Sequence, residues 1–191
     1  MNIPYPAARI LGGLAVAEAT ARGVPMATAI VDAAGQLQFF GRMDDALPAS
    51  AELAVNKAYT AALLRRPTHE IGRLAQPGQV LYGLQNTHGG RIVLLGGGFP
   101  LHYRGRTVGG IGLSGGTPDE DVGVAQTAVG AFELMGEWSA LFEGPWPRGR
   151  NQNMGLETLA AELASILAYV GGRSAGPILT GAALLAASRP D

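Results

Sequence analysis

Lys57 is the charge around which chemistry can be argued. It stands in the run Ser50–Leu64 (SAELAVNKAYTAALL), on one helical line with Leu53, Ala61 and Leu64, so its stem is expected to be buried. A lysine taken out of water pairs with a carboxylate or loses proton affinity, and either state serves acid–base work. Asp44 and Asp45, in the polar loop RMDDALPAS just upstream, are the nearest partners in sequence, with a ligand carboxylate as the other. Asp121 is a further carboxylate for the same role. Lys57 with Asp44 or Asp121 thus supports acid–base catalysis on a small organic acid. Arg42 opens the same loop and adds a fixed positive charge for binding such a ligand. The plainer readings are a lysine that snorkels to the helix edge and a solvated loop pair.

Glycine marks the second chemical stretch, Val93 to Asp121 (VLLGGGFPLHYRGRTVGGIGLSGGTPDED). Gly97, Gly98 and Phe99, with Ser114, Gly115 and Gly116, are the expected wall of a ligand pocket, because backbone without side chains lets a ligand approach closely. Ser114-Gly115-Gly116 precedes a helix start and resembles an anion cradle. Asp119, Glu120 and Asp121 in the first turn satisfy the same dipole and would repel a phosphate, which favours a structural turn. Gly96-Gly97-Gly98 has no P-loop lysine after it. The three histidines, His69, His88 and His102, have neither the i, i+4 nor the zinc spacing, so no metal site is expected. His69 is expected to be exposed in the first turn of a short helix, His88 lies in a loop, and His102 in a strand. No G-x-S-x-G elbow supports a serine nucleophile.

Composition narrows the classes further. Charged residues are 15 % and hydrophobic residues 47 % of 191, so a folded chain with buried subunit contacts is expected. A net charge of −1 without basic runs gives no footprint for nucleic acid or an anionic membrane. With no cysteine, disulfides, thiolate metal sites and cysteine nucleophiles are excluded. No signal-peptide pattern opens the chain, and no apolar run approaches the about 18 residues that span a bilayer. A cytoplasmic protein is the expectation.

Local signals place the elements. Pro6 and Gly23 bracket a first helix with Ile10, Leu14, Ala17 and Ala21 on one stripe. Ala27–Asp32 and Gln36–Phe40 read as a hairpin about Ala33-Ala34-Gly35. Ser50 is expected to cap a second helix, Ala51–Leu64, so apolar all round that it should be buried on more than one side, the second surface being another subunit. Thr68 caps a short helix to about Leu74, and Val80–Leu84 is a short strand or turn. Arg91–Leu95, Leu101–Tyr103 and Arg106–Ser114 are expected strands. Thr117-Pro118-Asp119-Glu120 is a capping box for a helix to about Met135. Its two hairpins make an antiparallel sheet covered by helices the expected layout, an α/β (α+β) fold. Two domains of organisation are expected: 1–143, and 144–191 as a Pro/Gly/Asn linker plus a helical extension (Leu159, Leu163, Ile166, Leu167, Val170), with Trp138 and Trp146 packing it down.

RMDDALPASAELAVNKAYTA, RPTHEI, QPGQVLYGL, GGRIVLLGGGFPL and GRTVGGIGLSGGTPDEDVGVAQ occur in that order. Together they resemble the GlcG/HbpS-like family of heme-binding or "haem-degrading" domains, which includes the C-terminal domain of PduO-type proteins. The resemblance covers about residues 5–136 and implies a profilin-like sandwich, an antiparallel sheet of about five strands flanked by helices, assembled as a homo-oligomer. It also implies a small-molecule ligand, with heme or a related tetrapyrrole as the cofactor. An axial histidine is the simplest heme ligand, and His102 or His88 would supply it; the first helix carries no histidine. The other functions open at this point are an enzyme of small-acid metabolism and an assembly or regulatory subunit with 144–191 as its contact arm.

Overall fold

The computed structural model describes residues 1–134. The elements are α1 (Tyr5–Ala21), β1 (Ala27–Asp32), β2 (Leu37–Arg42), α2 (Ser50–Leu64), α3 (Thr68–Leu74), β3 (Gly98–Tyr103), β4 (Arg106–Ser114) and α4 (Pro118–Leu134). The proposed linker, the extension after residue 143 and both tryptophans lie outside the described residues.

Four strands form one antiparallel sheet in the order β2-β1-β4-β3, so an α/β fold with helices on an antiparallel sheet is what the chain adopts. Ile30 sits between Phe39 of β2 and Ile111 of β4, fixing the register through the centre. One face carries Ile30, Leu101, Ile111 and Leu113 into a core closed by Leu11 and Ala15 of α1 and by Val124 and Phe132 of α4. The other face presents Ala27, Ala29 and Val31 to Ala54, Ala58 and Ala62 of α2. Small residues on both sides of that contact let the α2 backbone approach the sheet. Gly110 and Gly112 of β4 complete the fit, since a Cβ on either would strike backbone atoms of Ala58 and Ala54.

The sheet has one strand fewer than the expected five among the described residues. Arg91–Leu95, read as a strand from its apolar run, pairs with no strand: the Thr60 hydroxyl of α2 accepts the Val93 N–H at 3.0 Å, so a side chain takes the place of a strand neighbour. Val80–Leu84 is no strand: it is turn up to Gly83, and Leu84 begins a short 3-10 helix, Leu84–Asn86. Ser50 is not a cap: Ala49 before it is already helical and no side chain caps the end. The capping box at Thr117 is present in both directions. Glu120 Oε2 accepts the Thr117 N–H at 2.7 Å, and Thr117 Oγ1 accepts the Glu120 N–H at 3.3 Å. No described helix is long and apolar enough to cross a membrane.

Candidate functional site

Because α2 rests on Gly110 and Gly112, the stem of Lys57 runs along the sheet surface to the end of β4. There the ammonium donates to Leu113 O at 2.9 Å and to Asp121 Oδ2 at 2.6 Å. Asp121 reaches it from the first turn of α4, and its Oδ1 accepts the Gly116 N–H at 3.1 Å. Lys57 is 2 % and Asp121 3 % exposed. Gly97, at φ +108°, closes over the pair; a Cβ there would lie 3.2 Å from Lys57 Nζ and 2.8 Å from Asp121 Cβ. Gly98 passes as tightly over the carbonyl of Lys57, and its N–H is held by Thr68 Oγ1 at 3.0 Å. One corner therefore gathers Lys57, Asp121, Gly97, Gly98, Ser114, Gly115 and Gly116, closed rather than open as the expected pocket wall.

Burial pushes the Lys57 ammonium below its ordinary 10.5, while the hydrogen bond and charge of Asp121 pull it back. Burial raises the Asp121 carboxyl above 3.8 against the pull of Lys57 and the amides of Gly115 and Gly116. Glu120 moves the other way, lowered by the backbone and hydroxyl hydrogen bonds of Thr117. The amides that an anion would need at this helix start are thus held by Asp121 and Glu120. The corner ties α2, β4 and α4 together and presents no open charge.

The remaining candidates lie apart from this corner. Arg42 and Ser114 both pair with Ala27, so their backbones stand two strand spacings, about 10 Å, apart at the same end of the sheet. Arg42 is exposed and donates to Ala46 O at 3.5 Å; Asp44 is exposed, and the partner that Lys57 takes is Asp121. Phe99 turns into the α1–α4 core beside the ring of His69, centroids 5.5 Å apart. His69 was expected to be exposed; it is half-buried, with Nδ1 out of contact with solvent and without a hydrogen bond. His102 is exposed on β3.

His88 belongs to a group that sequence reasoning missed. Tyr59 lies two residues past Lys57, about 200° around α2, and so faces the opposite way. Its hydroxyl is 3.1 Å from His88 Nδ1, and the Arg91 guanidinium carbon lies 3.7 Å from its ring centroid. Arg91 Nε donates to Asn56 Oδ1 at 3.4 Å. Tyr59, Asn56 and Arg91 carry no local spacing signal that would have singled them out. Glu18 of α1 was also missed. It is buried, accepts from Arg22 Nε at 2.7 Å, has no hydrogen-bond partner at Oε2, and lines a small cavity with Leu14, Ala17, Thr127, Ala128 and Ala131.

Comparison with known proteins locates this architecture. The "uncharacterized 15.0 kDa protein in dhaT-dhaS intergenic region" of Citrobacter freundii is 43 % identical over 134 residues, covering 70 % of this chain and 94 % of that protein. The corrinoid adenosyltransferase PduO of Salmonella typhimurium is 43 % identical over 120 residues, 63 % of this chain but only 36 % of PduO. The solved structure of a PduOC:heme complex superposes with a TM-score of 0.62 at 43 % identity, covering 64 % of this chain and 88 % of that one. The family model for haem degrading protein HbpS-like proteins matches residues 3–130, and the chain belongs to that HbpS-like family.

Proposed function

We propose that this chain binds heme or a closely related tetrapyrrole and acts as a homo-oligomer. The observation that carries the reading is the likeness, at 43 % identity, to the PduOC:heme complex over most of that domain. The donor set of this chain suits such a ligand. An imidazole is the simplest axial ligand for heme iron, and exposed imidazoles are present at His88 and His102, whereas α1 offers none. The ring carboxylates need cations, which Arg42 and Arg91 carry. The apolar macrocycle needs open apolar surface, and Phe40 (41 % exposed), Val80 (85 %) and Tyr82 (64 %) are among the exposed large apolar side chains. When bound, the iron supplies redox chemistry; the chain's own part is to hold and orient the group and to shield one of its faces. The sealed Lys57–Asp121 corner does not compete for this role, since Gly97 covers the ammonium.

The same exposed apolar residues support self-association, for a monomer with so few charges would leave them wet. Titration of ferric protoporphyrin IX into the full chain tests the ligand reading. A saturable Soret shift at micromolar protein is expected; a spectrum identical to free hemin throughout the titration would overturn it.

A further inference from the structure

His88 and His102 are both exposed imidazoles, but only His88 is held. Its backbone sits at φ +53°, followed by Gly89 at +67° and Gly90 at +80°. An L-residue is disfavoured there, and persists only where surrounding contacts fix it. The contact that fixes this one is Tyr59, whose hydroxyl meets Nδ1 at 3.1 Å with the two rings edge to face at 70°. Tyr59 is itself locked, because the β1–β2 turn closes on its ring so tightly that a Cβ at Gly35 would stand 2.6 Å from it. The hydrogen bond engages Nδ1, so Nε2 is left as the free nitrogen, without a hydrogen bond among the described residues. In the tautomer whose Nδ1–H donates to the Tyr59 hydroxyl, Nε2 carries a lone pair, the arrangement by which proteins prepare a histidine for a metal. The ring of His102 has no comparable support: no described side chain bonds to it.

Arg91 is prepared in the same way. Its guanidinium carbon sits over the Tyr59 ring, 3.7 Å from the centroid, and Asn56 steers it through Nε. Its two terminal nitrogens make no hydrogen bond among the described residues, which leaves a fixed fork of the kind that binds carboxylates in pairs. One tyrosine thus anchors a metal-ready imidazole and a carboxylate-ready guanidinium together.

We infer that this outer face of α2 is the tetrapyrrole site, with His88 Nε2 as the axial donor and Arg91 as the partner of a ring carboxylate; the inference rests on the tetrapyrrole reading above and names its residues. The test is titration of ferric protoporphyrin IX into the full chain and into His88→Gly, His102→Ala, Tyr59→Phe and Arg91→Gln, read by Soret position and electron paramagnetic resonance. Glycine suits the positive φ, so His88→Gly keeps the loop, and circular dichroism checks each fold. His88→Gly is expected to weaken binding at least tenfold and to lose the histidine-ligated spectrum, while His102→Ala stays within twofold of wild type. Tyr59→Phe should keep binding but alter the spin state. Arg91→Gln should weaken hemin severalfold yet leave hemin dimethyl ester unaffected, because the ester has no carboxylate to lose. A wild-type spectrum in His88→Gly with its loss in His102→Ala would remove this assignment and leave the tetrapyrrole reading standing. A wild-type chain that binds no hemin would remove both.

Discussion

Lys57 and Asp121 have given up water for one another, and the consequences can be read by changing either. Lys57→Met leaves a buried carboxylate with two amide hydrogen bonds but no cation, and Asp121→Asn leaves a buried ammonium. Each is expected to cost about 3–5 kcal/mol in urea unfolding, whereas Lys57→Met/Asp121→Asn should cost clearly less than their sum. Additive losses would show that the two do not act as a pair. The pH dependence follows from the directions of the two shifts. Between the lowered folded-state pKa of Lys57 and 10.5, the unfolded chain binds more protons, so stability rises with pH through that window. Between 3.8 and the raised pKa of Asp121, the native chain binds more, so stability falls as pH rises. The pair's own contribution is therefore least favourable at intermediate pH. The difference in unfolding free energy between wild type and the double variant, measured across pH, should pass through a minimum there; a maximum would contradict the shifts. Sequence showed that Lys57 would be buried, because helical spacing is local. It favoured Asp44 and Asp45 as partners, because proximity in sequence is all it offers; the actual partner arrives 64 residues later on another helix.

The seat of α2 on β4 is the element on which the site depends. It exists because Gly110 and Gly112 have no side chains where the Ala54 and Ala58 backbone passes. Gly112→Ala is expected to lift α2 and destabilise by about 1–3 kcal/mol or more, lowering the thermal midpoint by several degrees. Gly13, midway along α1, has nothing within 4 Å of a built Cβ. Gly13→Ala should accordingly gain about 0.5–1 kcal/mol from helix propensity. Paired melts that moved in the same direction would refute this account of the contact. Elements with local signatures were legible in the sequence: α4 from its capping box, and β1 from a short β-branched run that matches its observed ends. Arg91–Leu95 was misread since its apolar spacing says nothing of what its amides bond to, and a threonine of α2 claims one of them. His69 was misread for a related reason, because burial of a short helix depends on where β3 passes.

At the scale of the whole molecule, β2 is an outer strand among the described residues, with Leu37 and Phe40 exposed and no described strand on its far side. Light scattering on the full chain should give a multiple of the 19.6 kDa subunit, and Phe40→Glu should shift the mass toward one subunit. A wild-type mass of one subunit would end the oligomer reading. The strand order has one more consequence, for synthesis. β1 is made early and lies in the middle of the sheet, yet its second neighbour is β4, the last of the described strands to be made. A nascent chain holding only the first hairpin and α2 must keep the inner edge of β1 unpaired while translation runs through α3 and the long turn region. Such an edge invites other chains, so this order should make the emerging polypeptide a client of ribosome-bound chaperones until Ser114 has left the tunnel. Arrest-peptide force profiles should register folding only beyond that point, with an earlier force peak counting against it.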